Sequence, residues 1–433
     1  MLIFSRDNRP EGCYTIDTMI QRSNSKKPYR PSSRHIPELN GLRVLLVFIV
    51  SWYHIWQQSW WTPYVGSYSL DFLVRAGYVP VDGTILLSGF LLFLPHARAM
   101  LLGEPIPETR AFYQKRIMRI VPSYFFVTLL MLFVVAIPYR QYYTNAALWK
   151  DLLMHLTFTQ TFDFSTYIAT PIGVASWTVA IEMQAYLIFP LLAKWARKNP
   201  LGTLASMAAA ALLFRSWVVW SMKDYNMVVN QLINFLDVYA MGMGASILYV
   251  KLTTLYPDGK KRFLWQAAAT LGVVLAVWGL KELLQDQAGS SGQSAIQAGQ
   301  MVRRPAFASL LALLTLSLPF AVRPIRFIAG NKLMGFLAMI SMNYYLMHQN
   351  IAVHLKRIGF PASTIENPNM APGGPEKPWV YQYTALCFGL SVLVAIAITF
   401  LIEKPGAWLL GKGFKRLNEA QDAWVEKRKA GTT

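Results

Sequence analysis

Arg43 and His54 are the first residues whose types and spacing suggest chemistry, because both interrupt a stretch that is otherwise apolar. Eleven positions separate them, and residues 44–53 carry no charged side chain. Each residue of an α-helix turns the chain by about 100° and advances it by about 1.5 Å, so the two side chains share one face, about 16 Å apart along the axis. A guanidinium and an imidazole are costly to keep in hydrocarbon, and ionisable residues found there usually serve function.

Glu182 lies in a later apolar stretch, at a depth close to that of His54. Counted from the ends of their stretches, His54 is about 18 Å above one membrane surface and Glu182 about 9 Å below the other. In a hydrocarbon core of about 30 Å these two positions nearly coincide. The two residues are either a catalytic base with its helper or a polar contact that only joins two helices. We favour the catalytic interpretation because burying both groups in a membrane is costly.

Arg116 and Arg119 form a second candidate site. They are three positions apart, so they share one face of a helix. The guanidinium fork suits phosphate groups. The alternative is ordinary membrane topology, which also places arginines at the cytoplasmic end of a span. Arg43 is also predicted near the cytoplasmic end of its span. Three arginines close to one cytoplasmic entrance favour a phosphorylated substrate with an extended chain that is long enough to reach His54.

Membrane-spanning helices are the elements that must position these residues. The chain has 433 residues, of which 54% are hydrophobic and only 15% charged, whereas soluble domains carry about 25% charged residues. The fold class is therefore an all-α polytopic membrane protein. About ten stretches approach the roughly 20 residues that cross a bilayer, and they are 42–60, 78–97, 120–137, 176–194, 201–221, 231–250, 263–284, 305–322, 333–354 and 380–402.

Basic residues mark alternate ends of these ten spans. With ten crossings, the basic stretches fall on one side, and the positive-inside rule makes that side cytoplasmic, so both termini are predicted to be cytoplasmic. The long outer loops are then expected at about 138–175, 285–304 and 355–379. The net charge of +19 is scattered among apolar spans, which argues against nucleic-acid binding and leaves membrane lipids as the surroundings.

The chain divides into three predicted parts, which are a basic cytoplasmic tail at 1–36, a transmembrane domain at 37–410 and a second basic cytoplasmic tail at 411–433. The first part has no apolar core, so it does not resemble a cleaved signal peptide. Residues 147–162 are apolar but too few to cross, and we expect an interfacial or re-entrant piece there. Residues 285–300 are rich in Gly, Ser and Gln, and we expect them to be flexible.

Seven segments resemble, in order, the motifs of the acyltransferase 3 family of membrane O-acyltransferases. Together they extend over roughly residues 36–410, and although each motif is weak alone, the ordered set is specific. The segments are IPELNGLRVLLVFIVSWYH, VPVDGTILLSGFLL, FYQKRIMRIVPSYFF, SWTVAIEMQAYLIFPLL, NFLDVYAMGMGA, ISMNYYLMHQN and IEKPGAWLL.

This resemblance implies transfer of an acyl group, usually acetyl, from cytoplasmic acyl-CoA to a hydroxyl of a carbohydrate or lipid-linked glycan of the cell envelope. It implies His54 as the catalytic base, while Glu182 matches the family's helix glutamate. Arg43, Arg116 and Arg119 would lie near the acyl-CoA donor. The expected substrate pocket contains Asp82, Ser88, Trp177, Tyr345 and His348.

Two motifs depart from the family pattern. Thr84 and Ile85 replace the usual paired aromatics, and the late Ser-Tyr-Ser becomes residues 341–343, Ser-Met-Asn. These departures leave the acceptor open. Some relatives carry an extracytoplasmic domain that this sequence does not show, so a separate extracytoplasmic partner is one way to complete transfer.

Several alternatives stay open at this stage. In the first alternative, the acyl group is transferred to a histidine and forms a covalent acyl-histidine intermediate before it reaches the acceptor. A proton-coupled transporter of a small solute would also use buried His, Glu, Arg and Asp. His348 is equally explained as a polar helix contact, and Arg215 with Asp237 as a structural ion pair. No metal site is expected, because the six histidines show no paired ligand spacing.

Overall fold

The computed structural model describes residues 31, 32 and 34–430, and almost all of its regular structure is helical. The helices, numbered in chain order, are α1 Glu38–Ser59, α2 Asp71–Arg75, α3 Val81–Leu102, α4 Thr109–Met131, α5 Asn145–Leu156, α6 Phe164–Tyr167, α7 Trp177–Lys198, α8 Pro200–Ser221, α9 Leu236–Leu255, α10 Lys261–Ala288, α11 Gln293–Ser317, α12 Arg323–Gly330, α13 Lys332–Arg357, α14 Lys377–Ile398 and α15 Lys404–Ala430. Two short strands, β1 Tyr64–Val65 and β2 Tyr68–Ser69, form an antiparallel hairpin between α1 and α2.

The predicted number of membrane spans is confirmed. Nine helices in the described part of the chain are long and apolar enough to cross a membrane, and the count becomes ten when α12 and α13, bent by 40° at one residue, form a single span. The final span is continuous from Lys377 to Trp424, and helix continues to Ala430. The segment predicted as a second tail is thus helical through 430, while residues 1–30, 33 and 431–433 lie outside the described residues.

Two predictions about the connecting segments had different outcomes. The short apolar stretch at 147–162 contains α5, whose 12 residues extend about 18 Å, so it does not cross a membrane. The prediction that residues 285–300 are flexible is wrong. Helix α10 continues to Ala288 and α11 begins at Gln293, because Ala and Gln favour helix and the break is confined to the four residues 289–292.

Helices α3 and α9 pack unusually closely, and glycines permit it. A Cβ atom added to Gly242 would lie 2.2 Å from the carbonyl oxygen of Leu86, and one added to Gly89 would lie 2.5 Å from the carbonyl oxygen of Tyr239. Small residues let helix backbones approach each other in membranes, where burial alone gives little drive for association. These contacts fix α3, which carries Ser88.

Helices α1 and α13 pack side by side in the same direction. The rings of Phe48 and Tyr344 stack at 4.7 Å, and further along both helices the rings of His54 and His348 lie 5.2 Å apart. The Ser51 and Tyr344 hydroxyls are joined by a 2.7 Å hydrogen bond between these contacts. A first and a ninth span that run in the same direction agree with the seven spans between them, because an odd number of crossings returns the chain to the side on which the first span began.

Two buried ion pairs connect α3, α8, α9 and α11. Arg215 pairs with Asp237 through both guanidinium Nη atoms, as predicted for a structural ion pair. Asp82 was expected in the substrate pocket, but it accepts a 3.0 Å hydrogen bond from Nε of Arg304, and both side chains are fully buried. The prediction for Asp82 is therefore wrong, because a partner 222 positions away in the sequence neutralises its charge inside the bundle.

Replacing Asp237 with alanine should destabilise the protein by about 3–5 kcal/mol, because Arg215 would keep a buried charge without its partner. Thermal unfolding of the purified protein in detergent measures the loss. The double variant Arg215→Met with Asp237→Leu should recover much of the stability, since both charges are then removed. Glu282→Ala, which breaks the exposed Lys281–Glu282 pair, is the control and should change little. A single variant as stable as the control would contradict this assignment.

Candidate active site

A cavity of about 180 Å³ opens between α1, α3, α4, α7 and α13 and collects most of the predicted charged residues. We call it the arginine cavity. Its lining residues come from all five of these helices, so residues that are far apart in the sequence meet around one cavity. Its polar lining residues are Arg43, Thr84, Ser88, Arg116, Arg119, Thr178, Glu182, Tyr186, Ser341 and Tyr345.

The three arginines of this cavity are not equivalent. Arg119 forms an ion pair with Glu403 and donates a 3.2 Å hydrogen bond to the carbonyl oxygen of Met339. Within the described residues, Arg43 and Arg116 form no ion pair. The Arg116 guanidinium lies 5.8 Å from the ring centres of both Phe112 and Tyr186, which holds it in place without neutralising it. Two positive charges thus face the cavity without a paired anion.

Glu182 lies among these arginines rather than beside His54. Its Oε2 atom accepts a 3.1 Å hydrogen bond from the Tyr186 hydroxyl, and its side chain lines the same cavity as Arg43 and Arg116. No hydrogen bond joins Glu182 to His54 in the part of the chain that the structure describes. A depth counted from the ends of the two spans did not fix which neighbour each helix face meets.

His54 is held in one tautomer by its neighbour Gln57. The ring Nδ1 lies 2.9 Å from Oε1 of Gln57, while Nε2 of Gln57 donates to the Tyr53 hydroxyl at 2.8 Å. A carboxamide oxygen can only accept, so Nδ1 carries the imidazole proton. The lone pair on Nε2 is then free to take a proton, which is what a general base requires.

His348 has the same tautomer as His54. Its Nδ1 lies 2.6 Å from the carbonyl oxygen of Tyr345, an acceptor only, so Nδ1–H donates and Nε2 holds a lone pair. The side chain is fully buried, and Nε2 has no partner among the described residues. The ring centres of the two imidazoles are 5.2 Å apart, so two nitrogen atoms that can each accept a proton lie close together inside the bundle.

The histidine pair lies just beyond the arginine cavity. Tyr345 lines the cavity, and His348 is the next turn of α13, about 4.5 Å further along the axis. On α1, Val47 lines the cavity and His54 lies seven residues, or about 10 Å, beyond it. The guanidinium groups of the cavity and the unprotonated Nε2 atoms of the two histidines are therefore offset along the helix axes. The spacing of Arg43 and His54 predicted such an offset.

The structure brings two of the five predicted pocket residues into one cavity. Ser88 and Tyr345 line the arginine cavity. Trp177 does not line it, because its ring packs 6.2 Å from that of Phe235, which turns it toward the α9 side of the bundle.

Three functional candidates were missed by the sequence reasoning. Tyr186 lies one turn after Glu182, and Gln57 one turn after His54, so helical spacing of i+4 and i+3 was the available signal. Glu403 was visible within the Glu-Lys-Pro segment. Its pairing with Arg119, 284 positions earlier, carried no local signal.

The family of the chain follows from a comparison with known domains. The family model described as an acyltransferase domain matches residues 36–402, which is most of the chain and contains every residue that lines the arginine cavity, as well as both histidines. The chain belongs to the acyltransferase 3 family. The motif resemblance found in the sequence is thereby confirmed, and the charged cavity with its histidine pair lies wholly within the acyltransferase 3 domain.

Two curated relatives of this acyltransferase 3 chain are similar over part of their length. Acyltransferase MdmB of Streptomyces mycarofaciens is 26% identical over 189 residues, which is 42% of this chain and 46% of that protein. Peptidoglycan O-acetyltransferase OatA of Listeria monocytogenes is 24% identical over 211 residues, covering 45% of this chain and 30% of that protein. The chain thus spans less than half the length of either relative. No solved structure matches it.

Proposed function

We propose that this multi-pass membrane protein is an O-acyltransferase that moves an acyl group from acyl-CoA to a hydroxyl of a carbohydrate. One observation carries the proposal beyond family membership. Two cations without paired anions, Arg43 and Arg116, line a cavity beyond which, one to two helical turns further along α13 and α1, lie two imidazoles with free Nε2 atoms. An anionic substrate with a transferable group matches this arrangement.

The donor end of the site is proposed to bind the phosphates of acyl-CoA. Guanidinium groups form strong charge-assisted hydrogen bonds with phosphate oxygens, and Arg43 and Arg116 have not used theirs on a carboxylate. The rise of α1 from Arg43 to His54 is about 16 Å, so an extended arm held at one end would present its thioester at the other. Arg119 is proposed to shape this end through its ion pair with Glu403.

His54 is proposed as the general base. Its Nε2 takes the proton of the acceptor hydroxyl as the oxygen attacks the acyl carbon. A carbon–oxygen bond forms, the carbon–sulfur bond breaks, and the proton passes from the imidazolium to the departing thiolate, giving the ester and free CoA thiol. The free Nε2 of His348 is placed to accept a second hydrogen bond from the acceptor. Glu182, hydrogen-bonded to Tyr186, is proposed to orient the arginines.

The relatives support the choice of acyl group and acceptor class. One is named a peptidoglycan O-acetyltransferase and the other an acyltransferase. Acetyl-CoA is therefore the proposed donor, and a cell-envelope carbohydrate or lipid-linked glycan is the proposed acceptor.

Release of CoA thiol tests this function. The purified full chain in lipid nanodiscs, given acetyl-CoA and a set of envelope glycans, should release thiol and transfer labelled acetyl to a glycan in equal amounts. A protein that moves label across the bilayer without cleaving the thioester would contradict the proposal and would favour transport.

Gln57 should act as a positioning residue for His54. Gln57→Leu removes the acceptor of Nδ1–H, and losing the roughly 1 kcal/mol of one hydrogen bond should lower kcat about fivefold with little change in KM for either substrate. Gln57→Glu restores an acceptor and should recover most of kcat. Steady-state kinetics on the natural protein and the two variants measure whether kcat or KM changes. A change in KM alone, or no recovery with glutamate, would contradict the role.

A further inference from the structure

Three cavities follow one another along a single face of α4. Arg116 and Ile120 line the arginine cavity, Tyr124 and Thr128 line a cavity of about 10 Å³, and Met131 with Val135, just past the end of α4, lines a third of about 310 Å³. We call the last two the middle cavity and the far cavity. These positions recur every three or four residues, so they form one stripe along the helix.

The opposite walls repeat this order. On α13, Tyr345 lines the arginine cavity, Leu346 the middle cavity, and Val353 the far cavity, while Asn350 lines both the middle and the far cavity. In α7 and the segment before it, lining residues fall within 178–186 for the arginine cavity, within 172–176 for the middle cavity, and at 170 and 171 for the far cavity. The three cavities therefore follow one another through the bundle, and α13, which carries His348, contributes lining residues to all three.

Six of the ten residues that line the far cavity are polar, and none of the ten is acidic. Its six polar lining residues are Gln141, Thr170, Gln349, Asn350, His354 and Arg357. Within the described residues, Oε1 of Gln349 and Nδ1 of His354 are buried atoms that have no hydrogen-bond partner. Carboxamide and imidazole atoms that lack partners can form hydrogen bonds with the hydroxyl groups of a ligand. Burying such atoms without any hydrogen bond lowers the stability of the protein, and a bound ligand would remove that cost.

Arg357 gives this cavity a fixed positive charge. Its guanidinium lies 4.1 Å from the centre of the Tyr139 ring, and with the Gln141 amide oxygen turned toward it both Nη atoms donate to that oxygen at 2.7 and 2.8 Å. No ion pair involves Arg357 in the residues that the structure describes. The charge is therefore held in position by neutral groups and has no paired anion.

We propose that the far cavity binds the carbohydrate acceptor and that Arg357 selects an acceptor with an anionic group, either a carboxylate or a phosphate. This inference rests on the proposed function, since it names the acceptor of that reaction. Gln349 and Asn350 directly follow His348, so this end of the far cavity lies within about 3 Å of His348 along the axis of α13. Arg357 is nine residues beyond His348, about 13 Å along the axis, so it contacts a group elsewhere on the glycan.

Equilibrium dialysis of labelled disaccharides against the full chain in nanodiscs tests the selection without requiring transfer. The probes are chitobiose, the N-acetylglucosamine–N-acetylmuramic acid disaccharide, which adds a carboxylate, and chitobiose 1-phosphate. One anionic probe should bind about tenfold more tightly than chitobiose, the gain expected from one charge-assisted hydrogen bond. The probe that does so identifies which anion is selected.

Matched variants decide whether Arg357 is responsible. Arg357→Gln should abolish the preference, so that the anionic probe binds no more tightly than chitobiose. Lys356→Gln removes the same charge one position earlier, where the ammonium instead donates to Asn369 and lies over Trp379, and it should keep the preference. Equal binding of all three probes, or a preference that survives Arg357→Gln, would overturn the inference. Selective binding by a protein that releases no thiol from acetyl-CoA would instead refute the proposed function and leave an anionic-glycan site.

Discussion

His54→Ala should reduce acetyl transfer by about 10²- to 10⁴-fold, the usual contribution of a positioned general base. The expectation follows from the site itself. Gln57 fixes the Nδ1 proton of His54, Nε2 is left free, and the neighbouring His348 has its own Nδ1 proton bound to a carbonyl oxygen. Transfer of labelled acetyl from acetyl-CoA to glycan, measured with the purified variant, gives the loss.

The control for this prediction is His35→Ala, since His35 is exposed and lines none of the cavities described above. It should retain normal turnover. Gel filtration in detergent should show that both variants remain folded and monodisperse. If His54→Ala is folded and turns over within a fewfold of normal, His54 is not the base, and His348 becomes the first alternative to examine.

Arg43→Gln and Arg116→Gln should each raise KM for acetyl-CoA about 10- to 100-fold, because a hydrogen bond to a charged group contributes about 1.5–3 kcal/mol. Both guanidiniums face the arginine cavity without an ion-pair partner. Initial rates of thiol release over a range of acetyl-CoA concentrations measure the change. The exposed neighbour Lys115 supplies the control, and Lys115→Gln should leave KM nearly unchanged.

A truncated donor separates phosphate binding from other effects of these variants. Acetyl-pantetheine carries the same thioester and no phosphate. The natural protein should use it poorly, and Arg43→Gln and Arg116→Gln should use it no more poorly than the natural protein does. A variant that loses activity equally with both donors has damaged the thioester end of the site, and the assignment of that arginine to phosphate would be wrong.

Arg119 is expected to behave differently from the other two arginines. Its pair with Glu403 joins α4 to the short segment between α14 and α15, and Asn343 donates a 2.7 Å hydrogen bond to the same carboxylate. Spacing alone made Arg116 and Arg119 equivalent, since both lie on one face of one helix. Their partners divide them into one cation that is open to a substrate and one that also holds two helices together.

The membrane spans and the Arg43–His54 face were determined by the sequence, for reasons that are local. Crossing about 30 Å of hydrocarbon needs about 20 apolar residues whatever the rest of the chain does, and α-helical geometry fixes the relation of two residues on one helix. The short α5 was predictable for the same reason. Residues 285–300 were mispredicted because their glycines suggested a longer break than the helix ends required.

Contacts between helices were decided only by the tertiary structure. Depth can be counted from the end of a span, but the direction in which a side chain faces depends on which helices pack beside it. Asp82 therefore joined Arg304 instead of the pocket, and Glu182 met the arginines instead of His54. The far cavity likewise needed α13 and the segment before α7 to assemble it. The sequence by itself determined which charged residues lie within the apolar spans, because that is a local property, and helix packing decided which of those charges are neutralised and which remain available to a substrate.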